Sequence, residues 1–149
     1  MTSFPLNVLF LCTGNSARSI LAEALLNQIG QGEFNAFSAG SQPAGQVHPY
    51  TRITLHRHNL KESTLRSKSW DEFLTPGAPK MNFIITVCSS AAQTCPIWPG
   101  QAIIQHWNLD DPAAVVGDEE RKQQAFEDTY QTLYHHIQHF ITEAKNMVD

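Results

Sequence analysis

The sequence predicts an α/β fold of three layers, with a four-stranded parallel sheet and helices on both faces. Four apolar segments that can form strands begin near residues 7, 33, 81 and 101, and amphipathic segments lie between them. Strands that alternate with helices are typical of a parallel sheet, because each strand must return to the same edge through a crossover connection. The 149 residues match the usual size of one domain, so we predict a single domain over residues 1–149.

The hydrophobic pattern defines the first three elements. The segment NVLFLC at 7–12 is almost continuously apolar, which is typical of a strand that is buried on both faces. Apolar residues then recur at helical spacing from 18 to 30, with Ser16 or Ser19 as the expected helix cap. The alternating segment 33–40 predicts the second strand, which ends at a glycine.

The remaining elements follow from turn signals and periodicity. A helix over 49–60 begins on a proline, which suits the first helical turn. Ser69 is placed to cap a short helix with the sequence WDEFL. The apolar segments 81–88 and 101–109 predict the third and fourth strands, and the stripe of apolar residues over 118–146 predicts a long final helix.

The composition and charge argue against several classes of partner. A net charge of −4 is unfavourable for general nucleic-acid binding. No segment approaches the roughly 18 to 20 continuous apolar residues of a membrane-spanning helix. The first residues show no basic leader, and three cysteines fit poorly with a fully paired secreted framework. We therefore predict a cytoplasmic protein without a nucleic-acid or membrane partner.

Several residues with chemical potential fall at the predicted carboxyl ends of strands. Cys12 ends the first strand, Gly40 the second and Cys88 the third, and the pair Asp110–Asp111 follows the fourth. Ligands of parallel α/β sheets bind outside the carboxyl ends of the strands. We therefore expect these residues to meet at one edge of the sheet.

The segment CTGNSARS at 12–19 combines a thiol, a glycine-containing turn and a guanidinium. The N-terminus of the predicted helix and the charge of Arg18 can both lower the pKa of the Cys12 thiol. Gly14 allows a tight turn whose backbone amides point inward as a cradle for an anion. A thiolate there can attack phosphorus or arsenic; the alternative is a buried structural thiol beside a solvated arginine. The predicted oxyanion-binding residues are Thr13, Gly14, Asn15, Ser16, Ala17, Arg18 and Ser19.

Three segments resemble a known family, in the same order along the chain. The loop CTGNSARS resembles the phosphate loop of the low-molecular-weight protein tyrosine phosphatases, and is more similar to that of the arsenate reductases with the same fold, although Ala17 departs from the family pattern. The segment TVCSSAAQTCPIWPG resembles the redox segment of the thioredoxin-coupled arsenate reductases. The segment WNLDDPAA resembles the general-acid loop of the family, in which the residue before proline carries the proton.

The resemblance implies that this chain reduces arsenate to arsenite, with phosphate or sulfate as mimics of the substrate. It implies that Cys12 attacks arsenate, that Arg18 holds its oxygens and that Asp111 donates a proton, with Asp110 as the alternative donor. Cys88 and Cys95 would then complete a thiol/disulfide relay. The implied reductant is thioredoxin, and glutaredoxin with glutathione is the alternative.

Two other functions stay open at this point. A low-molecular-weight tyrosine phosphatase would use the same loop and acid through a cysteinyl-phosphate, but would leave the second cysteine pair without a role. A non-catalytic oxyanion-binding or redox-sensing module would need only a reactive thiol and a disulfide. No cofactor or metal is predicted. Some family members bind potassium near the loop, but Lys68 stands where a further acidic ligand would fall, so we predict none here.

Overall fold

Four parallel strands form the sheet at the centre of the fold, in the spatial order β2-β1-β3-β4. The computed structural model describes residues 5–88, 98 and 100–147. The parallel pairing confirms the predicted sheet, with Leu9 of β1 beside both Phe37 of β2 and Ile84 of β3. The strands are β1 (Leu6–Cys12), β2 (Phe34–Gly40), β3 (Phe83–Thr86) and β4 (Ile103–His106).

Helical elements cover both faces of the sheet, as predicted. The α-helices are α1 (Arg18–Ile29), α2 (Pro49–Arg57) and α3 (Glu119–Met147). Helix α1 packs on β1 and β2 and against α3 on one face. On the opposite face a short 3₁₀-helix, Trp70–Phe73, approaches β2, where the rings of Phe37 and Phe73 lie 5.7 Å apart.

Aromatic side chains fix α3 against the sheet. Phe34 of β2 and Phe83 of β3, on the two strands that flank β1, both contact Phe140, with ring centroids 5.7 and 5.0 Å from it. Leu133 and Ile137, on the same stripe of α3, are completely buried. Burial of such large apolar side chains contributes about 1.5–3 kcal/mol each, so this stripe accounts for the position of a helix whose opposite face is polar.

The third and fourth strands are shorter than their apolar segments predict. β3 pairs with β1 only from Phe83 to Thr86, after which the chain leaves the sheet. β4 is an edge strand, and its side chains alternate between half-buried and exposed. Hydrophobicity alone does not mark where pairing ends, because the residues beyond β3 are also buried. Among the described residues, no helix is long and apolar enough to cross a membrane.

Gly40, the last residue of β2, lies against the loop that follows β1. A Cβ atom at this position would be 2.5 Å from the carbonyl oxygen of Thr13 and 3.1 Å from the Asn15 backbone nitrogen. Its own amide donates to the carbonyl of Lys68 at 2.9 Å. The absence of a side chain therefore allows three segments to converge at the end of the sheet.

We expect Gly40→Ala to lower the free energy of unfolding by about 1–3 kcal/mol, because the added methyl group would overlap backbone that cannot rotate away. Urea denaturation measures this loss. Gly77→Ala is the matched control, since a Cβ there meets nothing within 4 Å. The control should be neutral or slightly stabilising. Equal stability of the two variants would contradict the close approach.

Candidate active site

The carboxyl ends of all four strands contribute to one site, as the sequence predicts. Cys12 pairs in register with Gly40 at the ends of β1 and β2. Cys88, two residues after β3, lies close enough to Cys12 to raise the pKa of its thiol. Arg18, the first residue of α1, donates to the carbonyl of Leu109 beyond β4 at 3.0 Å. Residues far apart in sequence therefore surround the loop between β1 and α1.

The carbonyl groups of this loop are bound from its outer side. The amides of Ser41, Gln42 and Ala44 donate to the carbonyls of Cys12, Thr13 and Gly14 at 3.2, 2.9 and 2.9 Å. The carbonyl of Ser16 accepts from the amide of His48 at 3.0 Å and from the hydroxyl of Thr51 at 2.8 Å. Within one peptide group, the C=O of a residue and the N–H of the next residue point in opposite directions. Since these carbonyls point outward, the amides that follow them face inward, where they can hold an anion.

Asn15, and not Gly14, takes the unusual backbone conformation in the loop. Its φ of 47° lies in the left-handed region, whereas Gly14 adopts no such angle. The expectation that Gly14 supplies the turn is therefore wrong, since asparagine tolerates this region and is held there by its side chain. Asn15 Oδ1 accepts from the amide of Lys68 at 2.9 Å, and Nδ2 donates to Ser19 Oγ at 2.8 Å.

Helix α1 begins without a side-chain cap. Its first flanking residue is Ala17, and neither Ser16 nor Ser19 caps it, so the predicted caps are wrong. Ser19 is completely buried and is engaged by Asn15 instead. The helix N-terminus therefore keeps amide groups and a partial positive charge available to an anion.

Arg18 is a buried cation with an unused donor. Nη1 is bound to the Leu109 carbonyl, and Nη2 lies 3.8 Å from Asp111 Oδ2. Its Nε is buried and has no hydrogen-bond partner among the described residues. A buried donor without an acceptor is costly, and an oxyanion in the loop would supply one.

The two carboxylate oxygens of Asp111 make different contacts. Oδ1 accepts from the amide of Ala113 at 3.0 Å and caps the short 3₁₀-helix Pro112–Ala114. Oδ2 faces Arg18, and the side chain stays 45% exposed. The Asp111 carboxylate therefore contacts both solvent and the guanidinium of Arg18, whereas for Asp110, which is also exposed, the structure shows no contact with Arg18.

The two described cysteines form a buried thiol pair at the base of the loop. Cys12 and Cys88 are 3% and 4% exposed, and both carry reduced thiols. Thr13 Oγ1 lies 3.4 Å from Cys88 Sγ, which fixes the second thiol against the loop. Cys95, the third predicted member of the relay, lies outside the described residues.

The predicted lowering of the Cys12 pKa is wrong for this arrangement. The hydrogen bond to Cys88 raises the pKa of the Cys12 thiol, and burial raises it further. Arg18 and the amide of Gly14 lower the pKa, but they do not outweigh the neighbouring thiol. The N-terminus of α1 and Arg18 lie where the sequence predicts them. The sequence does not show, however, that the Cys88 thiol lies beside Cys12.

The sequence predicts Lys68 near the loop, but it does not show how Lys68, Ser67 and His48 support the loop. Ser67 Oγ donates to the Gly14 carbonyl at 3.1 Å, and the Lys68 amide binds Asn15. His48 binds Ser16 through its amide and caps α2 through Nδ1, which accepts from Tyr50 at 3.1 Å. The position of His48 before the proline of α2 was an available signal for the cap. The contacts that Ser67 and Lys68 make with the loop join residues far apart in sequence, so no local sequence pattern predicts them.

Comparison with known proteins agrees with this geometry. Residues 7–148 match the family described as low molecular weight phosphotyrosine protein phosphatase. The arsenate reductase of Bacillus subtilis strain 168 is 30% identical over 138 residues, covering 93% of this chain and 96% of the relative. The chain belongs to the low-molecular-weight phosphotyrosine protein phosphatase family.

Solved structures share the fold at lower identity. A structure described as an arsenate reductase in the phosphate binding state has a TM-score of 0.77 at 23% identity, covering 93% of this chain and 98% of that one. The thioredoxin-dependent arsenate reductase of Corynebacterium glutamicum has a TM-score of 0.60 at 24% identity, covering 93% of this chain and 64% of that one. Both confirm the arrangement of sheet and helices.

We expect Cys88→Ala to lower the pKa of Cys12, because the opposing hydrogen bond disappears while Arg18 and the Gly14 amide remain. Ultraviolet absorbance of the thiolate during a pH titration measures the change, in a Cys95→Ser background that removes the third thiol. Cys88→Ser is the control and should shift the pKa less, since a hydroxyl can still accept from Cys12. A Cys12 pKa that stays the same or rises in the alanine variant would contradict the thiol pair.

Proposed function

We propose that this protein reduces arsenate to arsenite through a thiol/disulfide relay. The observation that carries the proposal is the pair of buried thiols, Cys12 and Cys88, at the base of an anion cradle, where Thr13 Oγ1 lies 3.4 Å from Cys88 Sγ. Phosphate hydrolysis needs one nucleophilic thiol, whereas reduction needs a second thiol that can take over the first. The arsenate reductases among the relatives of the chain support the same conclusion.

The loop 12–19 would hold the arsenate. Inward-facing amides of Thr13 to Arg18 and the guanidinium of Arg18 offer donors on several sides of a tetrahedral anion. The unused Nε of Arg18 supports this role. Phosphate and sulfate have the same shape and charge, so both should occupy the loop as mimics.

In the first step Cys12 attacks arsenic. A sulfur–arsenic bond forms, and one arsenate oxygen leaves as water. Asp111 is the proposed proton donor to that oxygen, since its Oδ2 lies 3.8 Å from the guanidinium that would bind the anion. The Cys12 proton passes to an oxygen of the bound dianion, which is a base, so that with the proton from Asp111 the departing oxygen leaves as water.

In the second step Cys88 attacks the sulfur of Cys12. A Cys12–Cys88 disulfide forms, the sulfur–arsenic bond breaks, and its electron pair stays on arsenic. Arsenic thereby passes from the +5 to the +3 state and leaves as arsenite, while Cys88 loses its proton. The position of Cys88 supports this step, because its sulfur lies 3.4 Å from the hydroxyl of Thr13, the residue that follows Cys12.

In the third step we assign Cys95 the attack on Cys88, which regenerates the Cys12 thiol and leaves a Cys88–Cys95 disulfide. An external dithiol then restores both thiols by exchange. Thioredoxin is the proposed reductant, and glutaredoxin with glutathione is the alternative. A reducing compartment such as the cytoplasm suits this cycle, because the disulfide must be reopened after each turnover.

Hydrolysis of phosphotyrosine is the second candidate, favoured by the family to which the chain belongs. It would use the same loop and acid. The residues that follow the acid, Ala113 and Ala114, offer no aromatic surface to a phenol ring. This activity would also leave Cys88 without a role.

We expect Asp111→Asn to lower kcat by roughly 10²–10⁴-fold, the usual loss when a positioned general acid is removed. Asparagine retains an oxygen that can accept from the Ala113 amide, so the turn should persist. Asp110→Asn is the matched control and should have little effect. Steady-state arsenate reduction measures both variants, and the reverse ranking would move the acid by one residue.

We expect Cys95→Ser to complete about one turnover and then stop with Cys12 and Cys88 joined, because the resolving thiol is missing. Arsenite production with thioredoxin, and separately with glutaredoxin and glutathione, tests the function and identifies the reductant. Peptide mapping after one addition of arsenate locates the disulfide. Hydrolysis of an aryl phosphate is the control and should not change. Sustained thioredoxin-driven turnover by the variant would overturn the three-cysteine relay.

A further inference from the structure

Two buried threonine hydroxyls on α2 have different partners. Thr51 Oγ1 donates to the carbonyl of Ser16 in the loop at 2.8 Å, whereas Thr54 Oγ1 donates to the carbonyl of Tyr50 in its own helix, also at 2.8 Å. Both threonines are almost completely buried. A bond to the carbonyl four residues earlier is ordinary for a helical threonine. The bond of Thr51 is different, because it joins α2 to a loop that lies 35 residues earlier in the chain.

The carbonyl of Ser16 therefore has two donors, the amide of His48 at 3.0 Å and the hydroxyl of Thr51. This carbonyl shares its peptide group with the amide of Ala17, which points the opposite way, into the anion cradle. A hydrogen bond to the oxygen of a peptide group also polarises that group and makes its N–H a stronger donor. Thr51 can thus affect a bound anion through the Ala17 amide, without touching the anion.

The packing of α2 on α3 holds the Thr51 hydroxyl in place. The rings of His48 and Tyr50, on either side of Pro49, lie 4.8 and 5.6 Å from the ring of Phe126, which is buried on α3. Nδ1 of His48 accepts from the Tyr50 amide at 3.1 Å and caps the first turn of the helix. A donor on an element that is packed in this way is already oriented before an anion arrives.

We propose that Thr51 is a positioning residue for the oxyanion. Its hydroxyl orients the peptide group between Ser16 and Ala17, and it strengthens the Ala17 amide as a donor to the anion. The inference rests on the proposed function only in that the loop binds an oxyanion. It does not depend on the thiol relay or on turnover.

Thr54 separates this role from simple stabilisation of α2. The hydroxyls of Thr51 and Thr54 are buried on the same helix and form bonds of equal length, so the loss of either should lower the free energy of unfolding by a similar amount. If Thr51 acts through the loop, only its loss should weaken anion binding. If the bond merely stabilises the helix, both losses should affect binding alike.

The experiment is the binding of sulfate to the full chain by isothermal titration calorimetry, with urea denaturation of each variant alongside. Sulfate does not titrate near neutral pH and is not reduced, so only the loop is tested. We expect Thr51→Val to weaken sulfate binding about three- to tenfold, a part of the loss that follows when a donor to a charged group is removed outright. Thr51→Ala should weaken it similarly, which separates the lost donor from crowding by the added methyl group. Thr51→Ser, which keeps the hydroxyl, should bind within about twofold of the wild type.

Thr54→Val is the matched control and should leave sulfate affinity unchanged, although it removes a bond of the same kind. Unchanged binding by Thr51→Val and Thr51→Ala would overturn the proposal, and so would an equal loss of affinity in Thr54→Val. Should Thr51→Val not fold, the comparison of Thr51→Ala with Thr51→Ser decides the question. Absence of sulfate binding by the wild type would overturn the oxyanion site itself and this proposal with it, so the two failures are distinguishable.

Discussion

The outward hydrogen bonds of the loop carbonyls are the interaction on which the site depends. Segments that follow β2 and begin α2 bind the carbonyls of residues 12, 13, 14 and 16, and so determine which way the amides face. The loop sequence cannot achieve this alone, since an isolated turn would exchange its carbonyls with water. The anion cradle is therefore a product of the parallel sheet, which places these segments side by side at one edge.

The proximity of Cys12 and Cys88 has two opposing consequences. Cys88 raises the pKa of Cys12 and so hinders its ionisation, although in the proposed cycle the same residue would form the disulfide with Cys12. Arg18 and the Gly14 amide favour the thiolate from the other side. Under the proposed cycle, a less reactive Cys12 thiol would be the cost of holding its disulfide partner close by. A single-thiol phosphatase would have no reason to accept that compromise.

The strength of a pattern in the sequence decided which features could be predicted. The parallel sheet, α1 and α3 followed from long hydrophobic periodicities, and the convergence of Cys12, Cys88 and the acid loop followed from strand ends. The conformation of Asn15 could not be foreseen, because it is fixed by the amide of Lys68, which is distant in sequence. The predicted cap of α1 was wrong for a related reason. The Ser19 hydroxyl accepts a hydrogen bond from the Asn15 side chain inside the core and does not bind the amides at the helix N-terminus.

The start of α1 has no side-chain cap, which bears on the stability of the fold as well as on anion binding. An anion in the loop would satisfy the same amide groups that a capping side chain satisfies elsewhere, so occupancy and stability would be linked by mass action. A concentration one hundred times the dissociation constant adds about 2.7 kcal/mol to the free energy of unfolding. Phosphate inside a cell would thus protect the resting protein against unfolding and proteolysis. The same ion would have to leave before each substrate molecule binds, so the anion that stabilises the resting protein would also compete with its substrate.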